Sequence, residues 1–124
     1  METAEKYLAI RSLVNRTEDR ALVYGVTIAE YLLLKEVMAA GEAGITRVEL
    51  AAGVQLSVLD LTKALQPLEK LCFLETKEAT ANPRERLIAM TEGGKGVFGD
   101  IEHEFLRRMN LLTFEVTQLA KTLA

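Results

Sequence analysis

One cysteine, one histidine, two prolines and no tryptophan in 124 residues remove several protein classes at once. With Cys72 alone, neither an internal disulfide nor a cysteine-based zinc site can form. With His103 alone, there is no histidine metal set and no Ser/His/Asp triad. His103 stands between Glu102 and Glu104 and reads as a solvated side chain. Cys72, between Leu71 and Phe73, reads as a buried thiol without the positive neighbours that activate one. No apolar run approaches the ~20 residues of a membrane span. The start METAEKYLAI has neither a basic nor an apolar leader segment, so the expected compartment is the reducing cytoplasm. Gly93-Gly94-Lys95-Gly96 lacks both the longer glycine loop and the Ser or Thr after lysine that a phosphate cradle requires. Neither catalysis nor a cofactor nor a resident metal is expected.

A basic excess is also missing. The net charge is −3, with 27% charged and 49% hydrophobic residues, an ordinary globular composition. The length suits one domain over residues 1–124 and not two, and no repeat, low-complexity tract or Pro/Ser-rich linker suggests a boundary. From Ile45 to Thr91, Arg47, Lys63, Lys70, Lys77, Arg84 and Arg86 balance Glu49, Asp60, Glu69, Glu75, Glu78 and Glu85. The acidic excess lies outside this stretch. Any affinity of the stretch for nucleic acid must therefore rest on geometry and a few placed cations.

That stretch carries the strongest pattern. Thr46-Arg47-Val48-Glu49 is a capping box with Ile45 and Leu50 at the staple positions, so a helix is expected from Thr46, with Val48, Ala51 and Ala52 inward and Gly53 loosening its end. Ser57-Val58-Leu59-Asp60 is a second cap, with Leu56 and Leu61 as staple, and the short link forces a steep crossing. Leu61, Ala64, Leu65, Leu68 and Leu71 recur at helical spacing, leaving Val58, Asp60, Thr62, Lys63 and Gln66 outward; Pro67 should bend or tighten the helix late. Phe73–Lys77 and Arg86–Met90 are short strand-like runs around a loop in which Pro83 should hold Asn82 extended. The expected fold is mainly α (α+β), a winged helix-turn-helix over residues 45–91 with a two-stranded wing.

The flanks are helical. Thr3 to about Arg16 puts Tyr7, Ile10, Leu13 and Val14 on one side. Thr27-Ile28-Ala29-Glu30 caps a helix to about Ala40 that should be the most buried of all. After the wing come one long helix or two, weakened by Gly93, Gly94, Gly96 and Gly99 at ~1 kcal/mol apiece. There Ile101, Phe105, Met109, Leu112, Val116 and Leu119 form a stripe that Leu106, Leu111 and Phe114 broaden. The central block is too small to cover both stripes. Residues 1–20 and 92–124 are therefore expected to dimerise, with Tyr7, Ile10, Val14, Phe105, Met109, Leu112, Val116 and Leu119 in the seam; packing within one chain is the alternative.

The runs VELAAGVQLS, LTKALQPLEKL and NPRERLIAMTEGGK, within residues 48–95, resemble the MarR family of bacterial winged-helix regulators. The family usually has Gly where Gln55 and Cys72 stand and Asp where Asn82 stands, so these first two are expected in left-handed backbone at about 1 kcal/mol each. The resemblance implies a homodimeric DNA-binding transcriptional regulator. In it the second helix of the block enters the major groove of a pseudo-palindromic operator, the wing meets the minor groove or backbone, and a small, often aromatic, effector commonly releases it. The residues expected on double-stranded DNA are Thr46, Ser57, Val58, Thr62, Lys63, Lys77, Arg84 and Arg86. Two alternatives stand beside this. Val58, Leu59 and Asp60 occupy places where a DNA reader normally has Ser, Thr, Lys or Arg, which suits a winged-helix protein-interaction module with weak or no DNA binding. Arg84 and Arg86 have Glu78 and Glu85 within reach as loop partners.

Overall fold

In chain order the elements are α1 (Thr3–Glu18), α2 (Ile28–Ala40), a 3₁₀ turn (Gly41–Ala43), β1 (Ile45–Thr46), α3 (Arg47–Gly53), α4 (Val58–Lys70), β2 (Leu74–Glu78), β3 (Arg86–Met90) and α5 (Glu92–Leu123). The structure is a computed structural model that describes residues 2–79, 81–82 and 84–123. Two compact units are present, Ala29–Gly99 and Met1–Ile28 with Asp100–Ala124.

In the first unit, hydroxyl caps open both central helices. Thr46 Oγ1 accepts from the Glu49 amide at 3.1 Å and donates to Glu49 Oε1 at 2.9 Å; Ser57 Oγ accepts from the Asp60 amide at 3.1 Å. Each cap satisfies an amide that the first helical turn leaves without an intrahelical partner. Both helices close by a Schellman motif. The Leu56 and Gln55 amides donate to the Ala51 and Ala52 carbonyls, and the Phe73 and Cys72 amides to those of Leu68 and Glu69. The motif needs one left-handed residue, and Gln55 (φ 58°) and Cys72 (φ 61°) supply it, as expected. Cys72 is exposed, against the expectation of burial, because this position lies beyond the helix's inward face; neighbouring Leu71 is likewise uncovered. Pro67 lies inside α4, and the helix continues to Lys70.

The core of this unit joins Tyr31, Leu33, Leu34 and Val37 of α2 to Leu50, Ala51, Leu61, Leu65, Leu68, Leu74 and Ile88. Leu32 and Met38 are exposed, so α2 is not apolar-buried all round. On α3 the inward residues are Leu50 and Ala51. Val48, 69% exposed, and Ala52 lie one turn apart on the opposite side, which corrects their expected inward placement. The sheet is antiparallel in the order β1-β3-β2. The wing hairpin pairs Leu74 with Met90 through Glu78 with Arg86, and the two-residue β1 adds a third strand by pairing Ile45 with Ile88. Gly44 (φ 77°) admits β1 to this edge, since a Cβ there would lie 3.1 Å from the Ile88 carbonyl oxygen and from Leu87 Cβ.

Thr91 starts α5. Its hydroxyl donates to the Cys72 carbonyl at 2.5 Å and accepts from the Gly94 amide at 2.9 Å, while the Phe98 ring stacks 5.9 Å from that of Tyr31. A Cβ on buried Gly94 would overlap the Phe73 carbonyl oxygen, so the glycine that weakens the helix is the one that lets it approach the wing base. The run after the wing is one helix, not two.

In the second unit α1 extends to Glu18, two residues beyond the expected Arg16, with Thr17 Oγ1 donating to the Leu13 carbonyl at 2.9 Å. Tyr24 (φ 57°) and Gly25 (φ 73°) form a turn closed by the Leu22 amide on the Val26 carbonyl, and Tyr24 Oη donates to Asp100 Oδ2 at 2.8 Å, which raises the phenol pKa. Arg108 donates to the Arg20 and Ala21 carbonyls at 2.7 and 2.6 Å. Glu104 receives Arg107 at 2.6 Å and Arg108 at 3.2 Å, and these guanidiniums lower its pKa from 4.5 to about 2. Leu13, Leu22, Val26, Ile28 and Ile101 are buried.

The glycines of α5 divide by surroundings. Gly94→Ala should lower stability by about 1 to 3 kcal/mol, the usual cost of forcing a methyl into a filled space. Gly96, with nothing within 4 Å of a built Cβ, should gain up to ~1 kcal/mol when changed to Ala. Urea unfolding of the two variants measures both signs.

Candidate nucleic-acid interface

All the residues expected on DNA fall within Ala29–Gly99. On α4, Leu61, Leu65 and Leu68 are fully buried, and at about 100° per residue the opposite line of the helix carries Leu59, Lys63, Gln66 and Lys70. All four are exposed. Val58 and Thr62 lie on the flank of that ridge rather than its crest. Val58 is 43% exposed, while Thr62 is half-buried and its hydroxyl donates to the Val58 carbonyl at 2.9 Å. Ser57 and Thr46 serve their helices as caps; the Thr46 hydroxyl is used both as donor and as acceptor by Glu49. Of the ridge residues only Lys63 is expected on DNA; Gln66 and Lys70 are not, and Leu59, 66% exposed, is left out because an apolar side chain there reads as a protein-contact signal.

The wing separates its cations by position. Lys77 Nζ donates to the Glu42 carbonyl at 2.6 Å, which ties its side chain to the 3₁₀ turn after α2. Lys95 binds the Glu42 carboxylate, lowering the Glu42 pKa and raising its own, and reaches Glu92 Oε1 at 3.4 Å. Arg84 and Arg86 are exposed and form no ion pair among the described residues, although Glu78 stands directly opposite Arg86 in the ladder. Neither Glu78 nor Glu85 neutralises them. The tip is shaped by Asn82: its Oδ1 accepts from the Arg84 amide at 3.1 Å and its carbonyl from the Glu85 amide at 2.9 Å, with the Ala79 amide on the Glu85 carbonyl at 3.0 Å. Asn82 thus acts through an Asx turn. The expected restraint by Pro83 concerns a residue outside those described.

The expected seam residues all lie in the other unit. Tyr7 and Ile10 are exposed at 62% and 42%, while Val14, Phe105, Met109, Leu112, Val116 and Leu119 are half-buried. Leu8, Leu106, Leu111 and Phe114 are exposed large apolar residues beside them. Among the described residues no group of His, Cys, Asp and Glu could hold a metal ion, and no helix is long and apolar enough to cross a membrane.

The Asx turn makes a specific demand. Asn82→Ala should cost about 0.5 to 1.5 kcal/mol and speed amide exchange at Arg84 and Glu85, whereas Asn82→Asp, which keeps the accepting oxygen, should leave both unchanged. Hydrogen exchange followed by NMR distinguishes the pair.

The same architecture occurs in solved structures. A probable transcriptional regulator from Pseudomonas aeruginosa superposes with a TM-score of 0.77 at 12% identity, over 94% of this chain and 89% of that one. A single-residue variant of MepR from S. aureus gives 0.73 at 16% identity, over 99% and 94%. A single-residue variant of MarR from E. coli, solved with operator DNA, gives 0.71 at 22% identity, over 93% and 88%. No protein-family model and no curated relative matches the sequence. At these identities the likeness is one of fold, and the fold is a winged helix.

Proposed function

We infer that the protein is a homodimeric, MarR-type DNA-binding transcriptional regulator, with α4 in the major groove and the wing on the neighbouring minor groove or backbone. The observation that carries this is the state of its cations. Lys63 on the ridge of α4 and Arg84 and Arg86 at the wing are exposed and free of ion pairs among the described residues, on a fold that holds operator DNA in the MarR variant. Cations left unneutralised on a block with no net charge are suited to phosphate, whose condensed counterions they displace. Lys77, its side chain held by the Glu42 carbonyl, adds its charge to the wing. Thr46 and Ser57 set the helix starts that aim the surface.

Dimerisation is supported by apolar surface left uncovered in the helical unit. Tyr7, Leu8 and Ile10 on α1 and Leu106, Leu111 and Phe114 on α5 are exposed, beside the half-buried stripe of Phe105, Met109, Leu112, Val116 and Leu119. A two-fold dimer buries such a face against its own copy and matches a pseudo-palindromic operator.

Two measurements test the proposal. Changing Arg84 and Arg86 together to Ala should weaken binding to every duplex about equally and flatten the slope of log affinity against log salt by roughly one to two units; an unaltered slope removes the wing from the interface. Light scattering on a sizing column should give twice the 13.7 kDa chain mass. Phe114→Glu should then yield folded monomers, and a wild-type monomer at micromolar concentration overturns the dimer.

A further inference from the structure

The crest of α4 poses a chemical problem for a helix that reads DNA. Lys63, Gln66 and Lys70 offer hydrogen-bond donors, and Lys63 suits guanine O6 and N7 while Gln66 suits adenine N6 and N7. Ahead of them, on the first turn, stands Leu59, 66% exposed and able to make no hydrogen bond at all, flanked by Val58 at 43%. The N-terminal turn of a recognition helix is the part whose side chains meet base edges. An apolar side chain at a base edge has one specific partner in the major groove, the C5 methyl of thymine, which no other base presents.

Resting on the DNA-binding reading above, we propose that Leu59, supported by Val58, reads thymine by its methyl group, so that the half-site of this protein carries thymine next to the position read by Lys63. The juxtaposition favours this occupant over a protein surface. Leu59 sits in line with two lysines one and three turns along the same helix, and Asp60 and Thr62 border it, so the apolar surface on the first turn is a narrow strip edged by polar groups. Such a strip fits one or two methyl groups. Thr62, expected among the DNA contacts, donates its hydroxyl proton to the Val58 carbonyl and so has only its lone pairs to offer a base. Asp60 beside the strip disfavours phosphate at that point and leaves the approach to the base edge, where a carboxylate accepts from a cytosine amino group.

The experiment removes the methyl and nothing else. A duplex enriched by the protein from a random pool is resynthesised with uracil in place of each thymine in turn, and affinities are compared by fluorescence anisotropy at fixed salt. Uracil keeps every hydrogen-bonding atom. At one or two positions in each half-site the loss should be about fourfold, the transfer free energy of one buried methyl. Leu59→Ala should lose about as much on the thymine duplex and bind thymine and uracil duplexes equally, whereas Leu59→Met should still discriminate. Because Leu59 is exposed, thermal melts of both variants should match the wild type. Equal binding of all uracil duplexes by the wild type, with the salt dependence intact, overturns the thymine contact and leaves the DNA-binding function standing. Discrimination that persists in Leu59→Ala overturns the assignment to this residue. A protein that binds no duplex at any salt overturns both, and loss of self-association in Leu59→Ala identifies the strip as a protein contact instead.

Discussion

Burial of Leu61, Leu65 and Leu68 along one side of α4 decides what the rest of the winged-helix unit can present. Each such side chain contributes about 1.5 to 3 kcal/mol relative to exposure, so rotating the helix by even one residue about its axis would cost several kcal/mol. The opposite line is thereby fixed as Leu59, Lys63, Gln66 and Lys70. α4 packs against α3 on one flank and β2 on another, and this holds its crest in one orientation relative to the hairpin within the same unit. The exposed crest is a consequence of core packing rather than of any attraction among the exposed residues themselves.

The closures at Gln55 and Cys72 keep that packing in register. A side chain in left-handed backbone costs about 1 to 2 kcal/mol, and at both places the chain accepts it because two amide-to-carbonyl bonds satisfy the helix end at once. From the second of these, Thr91 carries the order onward: its hydroxyl bridges the Cys72 carbonyl and the Gly94 amide, tying the end of α4 to the start of α5. Gly94 is the condition for that joint. Its missing side chain lets α5 begin directly over the Phe73 carbonyl.

Charge in the wing is arranged by the same unit. The Glu42 carbonyl and carboxylate engage Lys77 and Lys95, so the wing cations without an ion-pair partner among the described residues are Arg84 and Arg86. The block is neutral by composition, yet its surface is not uniform. Neutrality in the sequence conceals a division between cations used internally and cations left free.

What the sequence by itself determined is local: the two hydroxyl caps and the three-and-four spacing of α4 follow from interactions spanning at most five residues, which a linear string records, while the left-handed pair at Gln55 and Cys72 is implied by the family resemblance. Only the tertiary structure decided the outcomes that depend on distant chain. Val48 faces out although its type suits a core, because a seven-residue helix has one inward side and Leu50 and Ala51 fill it. Cys72 is exposed by the helix closure it makes, Lys77 is held by a residue 35 positions away, and β1 exists because β3 offers it an edge. Leu59 shows the limit most directly. Its apolar side chain is the same in either role, and its place on the crest of α4 became definite only once the buried leucines had fixed the helix's rotation.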